Sequence, residues 1–216
     1  PPPPTATPVP PTPTPKIEEG GTLVEGSFAD ARTMNSILSS DTASGGIIAW
    51  LSNGLLQVRR DLAPECQLCE SYTVSPDGLK ITFKLIKGVK FHDGKELTAE
   101  DVKFTYDSIL EKDNASVRRS SLIGFFPSPD NIKVVDPYTV EFTFAKLKAN
   151  TLVTDFGYGI LPKHILGGKT GKDFTDHEFN TKKPIYSGPM MFKEWVKDDH
   201  ITLVANPNYF RGKPKM

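Results

Sequence analysis

Catalytic and metal-binding signatures are scarce in this chain. It has 216 residues, of which two are cysteine and four are histidine. One cysteine pair is too few for a structural zinc site, which wants four Cys/His ligands. His92, His164, His177 and His200 are scattered, with no second pair at ligand spacing. There is no Gly-x-Ser-x-Gly elbow and no His-Glu-x-x-His helix, so nothing announces a nucleophile or a catalytic zinc. Gly167-Gly168-Lys169-Thr170 resembles the end of a phosphate loop, but Lys163 stands where that motif requires glycine. Charge of one sign is also missing: 26 basic and 26 acidic residues cancel. No global field therefore draws the chain to nucleic acid or to an anionic membrane. No apolar run approaches the roughly 20 residues of a membrane-spanning helix.

What is present begins with proline. Residues 1–15, PPPPTATPVPPTPTP, hold only Pro, Thr, Ala and Val. Such a stretch cannot build a core, and its proline density favours polyproline II, so it reads as a semi-rigid tether. Basic residues that would flank an SH3-type ligand are missing. A tether at this position suggests a preceding signal, ending in a lipidated Cys, removed from the mature chain. Residues 16–216 then form the folded part.

Along that part, Thr22 to Val24 read as a first strand. Ser44 to Gln57 read as a helix, with Ile47, Ile48, Leu51 and Leu55 at helical spacing. Ser75-Pro76-Asp77-Gly78 is turn chemistry, because Pro presets one backbone angle and Gly supplies a positive one. Tyr72 and Val74 before it, and Leu79, Ile81, Phe83 and Leu85 after it, alternate as the two strands of a half-buried hairpin. Gly88 to Phe91 suggest a short strand. Thr98-Ala99-Glu100-Asp101 fits a capped helix start, with Val102, Thr105, Tyr106, Ile109 and Leu110 on one face. A second hairpin runs from Ile132 through Asp136-Pro137-Tyr138-Thr139 to Phe144. Residues 167–184 read as an exposed loop, and Met190 to Val204 as two strands around Lys197-Asp198-Asp199-His200. Hairpins with helices between them make an α+β (mixed α/β) chain, not a βαβ series.

Cys66-Gln67-Leu68-Cys69 reads as a loop entering a strand. Its spacing allows a local disulfide or two inert thiols, a bridge to a segment outside the chain, or redox or metal chemistry.

The block ESYTVSPDGLKITFKLIKGVKFHDG at 70–94, running into Leu97-Thr98-Ala99-Glu100-Asp101-Val102-Lys103-Phe104-Thr105-Tyr106, resembles the signature of family 5 bacterial solute-binding proteins. Asn53-Gly54-Leu55-Leu56, Leu161-Pro162-Lys163-His164 and Asn206-Pro207-Asn208-Tyr209-Phe210 agree in order. Two departures stand out. Ser187-Gly188-Pro189-Met190 replaces a more usual Gly-Thr-Gly-Pro-Tyr, and Cys66 to Cys69 form a short insertion.

The resemblance implies the first lobe of a two-lobed periplasmic-binding-protein clamshell of type II, stopping where the crossing to the second lobe begins. It implies a substrate-binding component of an ABC importer, outside the membrane or tethered to it as a lipoprotein, with an oligopeptide or other small solute and a membrane permease as partners. No cofactor, metal, nucleic acid or enzymatic activity is implied. Oligosaccharide or nickel are alternative ligands, although no adjacent His pair supports nickel. A stand-alone interaction domain on a Pro-rich stalk is the reading from a different class.

By the same resemblance, ligand lies against the segment 26–32, which makes Phe28, Ala29, Asp30 and Arg32 candidate contacts. Asp30 suits a ligand main chain, since a carboxylate accepts N–H bonds strongly; capping a local turn is its other reading. Arg118 and Arg119 stand where relatives place an aromatic contact, and either suits a ligand carboxylate or simply solvent. Trp50, Trp195, Phe125 and Phe126 are stacking candidates or, by spacing, core.

Overall fold

The computed structural model describes residues 20–215; the proline-rich stretch lies outside them. The turn chemistry at Ser75–Gly78 folds as its residues require: Gly78 takes φ 70° and its N–H donates to the Ser75 carbonyl at 2.9 Å. Strands β3 (Cys69–Val74) and β4 (Lys80–Leu85) pair antiparallel across it. The second hairpin, β5 (Ile132–Asp136) and β6 (Thr139–Thr143), joins them in a four-stranded antiparallel sheet of order β3-β4-β6-β5. The alternation in β4 puts Ile81, Phe83 and Leu85 in the core and leaves Lys80 and Lys84 outside.

Of the three helices of consequence, the second packs on this sheet and the first against the later strand 190–196. α1 (Thr42–Leu51) is capped by Asp41, whose Oδ1 accepts the Ser44 N–H at 2.8 Å. α2 (Ala99–Leu110) opens with Asp101 Oδ2 accepting the Thr98 N–H at 2.9 Å and packs across β5 and β6. Its buried face holds Val102, Thr105, Tyr106 and Ile109. The short α3 (Arg119–Leu122) follows. Phe83, Tyr106, Phe126, Phe142 and Phe156 meet behind the sheet as one aromatic cluster. Two smaller antiparallel pairs lie beside it: β1 (Leu56–Val58) with β2 (Pro64–Cys66), and β7 (Met190–Val196) with β8 (His200–Ala205).

Four expectations need correction. Thr22 to Val24 form no strand; Leu23 and Val24 are 68% and 85% exposed, and no neighbouring strand among the described residues takes their backbone bonds. The first helix runs over 42–51, not 44–57, because Ser52 turns extended and its hydroxyl closes on the Ile48 carbonyl at 2.8 Å. Leu55 and Leu56 are buried after the helix has ended, Leu56 as the first residue of β1. Gly88 to Phe91 supply only a single bridge, Lys90 to Glu96. The polar stretch 167–184 contains helical turns at Lys172–Thr175 and Glu178–Asn180, which sink Phe174 and Phe179 into the core. Asn180 secures that stretch by donating its amide to the Phe174 and Thr175 carbonyls at 2.9 and 2.7 Å.

Candidate ligand-binding cleft

A cleft of about 340 Å³ opens between α1, the start of β1 and the segment 157–159. Its walls follow from close backbone approaches. Gly54 lies so near the second wall that a Cβ there would stand 2.6 Å from the Gly157 carbonyl carbon. The Leu56 N–H donates to the Phe156 carbonyl at 2.9 Å, and the Ile160 N–H to the Asn53 carbonyl at 3.1 Å, so Gly157-Tyr158-Gly159 is stapled at both ends.

The third wall is the buried segment 34–39. Tyr186 holds it from below: its hydroxyl accepts the Ser36 N–H and donates to the Met34 carbonyl, both at 3.0 Å. Burial pushes the Tyr186 phenol well above the usual tyrosine range, which keeps that donor protonated. The Ser36 hydroxyl in turn donates to the Gly159 carbonyl at 2.7 Å, joining two walls.

The floor involves the cysteine loop. Cys66 and Cys69 form a disulfide with Cα atoms 5.0 Å apart. Inside that loop Gln67 accepts the Gly54 N–H through its side-chain oxygen at 2.8 Å and lines the cleft. Arg211 fixes the outer side, donating to the Cys66 and Gln67 carbonyls at 2.8 and 2.9 Å.

Among the described residues, Arg118 is the one charged side chain lining the cleft. Its guanidinium donates to the Ser39 carbonyl at 3.0 Å and sits 5.6 Å from the centre of the Tyr158 ring. Arg119 faces elsewhere, its Nε–H donating to the Leu110 carbonyl at 2.8 Å at the end of α2.

The other expected contacts lie apart from this cleft. Asp30 accepts from the Trp195 indole at 3.0 and 3.2 Å, from the Asp198 N–H at 2.9 Å and from the Ala31 N–H at 2.9 Å. The Asp198 bond first, and the indole with it, hold its carboxyl below the usual range against partial desolvation. Phe28 is 90% exposed, Ala29 and Arg32 are exposed, and the Arg32 N–H donates to the Ser44 hydroxyl at 2.8 Å. Trp50 is partly exposed on α1, Phe125 packs under Lys146 and Lys148, and Phe126 is core. Sequence reasoning missed Ser36, Ser39, Gln67 and Tyr158; the one signal was Gly-Tyr-Gly at 157–159, where small residues flank an aromatic.

Residues 63–216 match the family described as bacterial extracellular solute-binding proteins, family 5 Middle. This chain belongs to that family. It is 40% identical over 200 residues to the oligopeptide-binding protein AppA of Bacillus subtilis, covering 92% of this chain and 36% of AppA. The structure of AppA in complex with a nonapeptide superposes with a TM-score of 0.87, over 93% of this chain and 39% of that one. The ABC transporter substrate-binding protein CtaP of Listeria monocytogenes gives 0.81 at 34% identity, over 92% and 39% of the two chains. NikZ of Campylobacter jejuni, solved with Ni(L-His), gives 0.75 at 26% identity, over 88% and 36%. The mixed helices and sheets are those of one lobe of the type II clamshell. The chain spans well under half the length of these relatives.

Proposed function

We propose that this lobe is half of the receptor of an ABC importer, which captures short peptides outside the membrane and presents them to a permease without bond chemistry. One observation carries the reading: among the described residues β1 has a strand partner on one side only, and on the other, beyond the Leu56 N–H taken by the Phe156 carbonyl, Leu56, Gln57 and Val58 line the cleft. A strand edge beside a cleft suits an extended peptide, whose main chain adds hydrogen bonds there without regard to sequence. Glycines and serines along the remaining walls leave room for varied side chains. The family and the nonapeptide-bound relative AppA support the same reading. Residues 1–15 fit a tether that holds the receptor near the membrane, with a lipid anchor upstream.

One lobe leaves its groove open to water, so two lobes are needed for affinity. Calorimetric titration of the natural full-length protein with a mixed di- to pentapeptide library should give micromolar binding or better, on the order of −8 kcal/mol. The 216-residue chain should bind the same library at least tenfold more weakly. Failure of the full-length protein to bind any peptide, alongside binding of nickel chelates or oligosaccharide, would overturn the peptide reading and leave the family intact.

A further inference from the structure

The cleft has an electrostatic imbalance. Among the described residues lining it, serine, glycine, glutamine, tyrosine and aliphatic side chains surround a single charge, the Arg118 guanidinium. Arg118 makes no salt bridge among the described residues, although ten close acid–base pairs occur elsewhere in the fold. Asp155, just before the cleft segment 157–159, is occupied: Lys148 pairs with it at 2.8 Å, and the Thr151 and Thr154 hydroxyls donate to it at 2.8 and 3.0 Å.

The guanidinium is also held ready. One terminal nitrogen donates to the Ser39 carbonyl, the Tyr158 ring lies beside the group, and Nε is buried without any acceptor. A guanidinium carries five N–H donors, and one protein hydrogen bond leaves most of them unused. Water can solvate the exposed side of the group while the cleft is open, and once a ligand displaces that water an anion is the partner that best completes it. Positioning by Ser39 and Tyr158 lowers the entropy lost when that anion arrives, because the planar fork is already oriented.

Resting on the peptide reading above, we infer that Arg118 is the specificity determinant for a ligand carboxylate, so that this receptor prefers peptides presenting one in the cleft. That carboxylate has two sources, the peptide C-terminus or an acidic side chain. Charge-assisted and bidentate bonds to carboxylate are the strong ones, and they set the size of the effect.

The test uses the natural full-length protein and three peptides that share an otherwise neutral sequence: one with a free C-terminus, one amidated, and one amidated but carrying a glutamate. The free-acid or the glutamate peptide should bind roughly 10- to 100-fold more tightly than the neutral amide, and which of the two does so names the source. Arg118→Gln should bring the three peptides to within about threefold of one another, the preference being read as their ratio within the variant whatever its affinity for the neutral amide. Arg118→Lys, which keeps the charge but not the fork, should retain part of the preference and covers the case of a poorly folded glutamine variant. Equal binding of all three peptides by the wild type overturns the inference and leaves the peptide reading standing. So does a preference that survives Arg118→Gln. Absence of binding by every peptide refutes the peptide reading and this inference together.

Discussion

Two glycines fewer than ten residues apart should respond to alanine in opposite directions. At Gly54 an added Cβ would stand 2.6 Å from the Gly157 carbonyl carbon and 2.8 Å from its Cα and oxygen. Carbon atoms in ordinary contact are about 3.5–4.0 Å apart, so the two walls must separate by about 1 Å. They cannot do so freely, since the Leu56–Phe156 and Asn53–Ile160 bonds tie them together on either side of the clash. Overpacking of this kind costs about 1–3 kcal/mol. Gly46, inside α1, has nothing within 4 Å of a built Cβ. Alanine there removes glycine's excess backbone entropy and should stabilise by about 0.5–1 kcal/mol. Urea denaturation of both variants, compared at unchanged m-value, measures the difference. A Gly54→Ala protein as stable as wild type would refute the close-approach argument, as would both variants shifting in the same direction.

Phe83→Ala should lose about 3–5 kcal/mol, since the ring is fully buried. Its centroid lies 4.7 Å from that of Phe156, 5.7 Å from Tyr72 and 5.8 Å from Phe142; a measured loss under about 1 kcal/mol would mean the cluster is not the core. His92 should make stability fall in acid. Burial lowers its pKa, outweighing the Gly188 carbonyl and Asp93, which act the other way. Its Nδ1 accepts the Tyr186 N–H at 3.3 Å while Nε2 meets the Gly188 carbonyl at 3.1 Å, an arrangement for the neutral ring. The unfolded chain therefore takes up a proton first: the contribution is whole above the ordinary histidine value and is lost as pH falls below it toward the lowered one. Unfolding free energies compared at pH 7.5 and 5.5 should converge between wild type and His92→Gln at the lower pH; parallel profiles would exclude His92 as the source.

Local chemistry accounts for the parts of the fold that were legible. Pro76 and Gly78 fix one turn, Thr98 and Asp101 fix a helix start, and the two-residue period through Phe83 identifies a strand with one wet face. Each of these depends on neighbours in sequence. The misread parts depend on partners distant in sequence. Leu55 and Leu56 continue the apolar rhythm of α1, yet the Ser52 closure on Ile48 ends the helix before them, and Leu56 opens β1, where the partner is Pro64–Cys66. The stretch 167–184 is rich in Lys and Gly, and nothing local says that Asn180 will reach Asn35 at 2.9 Å and carry Phe179 into the core with it.

The cleft was legible only at Arg118, and the contrast with Asp30 gives the physical reason. Both residues are single charges that suit a ligand's opposite pole, and sequence alone cannot rank them. Their surroundings can. Asp30 is satisfied by three donors, the Trp195 indole N–H shared between both its oxygens and the Ala31 and Asp198 backbone N–H groups, so a ligand would have to displace bonds that tie the β7–β8 hairpin to the body. Arg118 has one acceptor, an aromatic neighbour and a buried Nε with no partner. On the proposed reading, removing the first should cost scaffold stability, whereas removing the second should change what the cleft prefers. A half-exposed charge with a single acceptor in its own chain is where we propose that a ligand's opposite charge is taken.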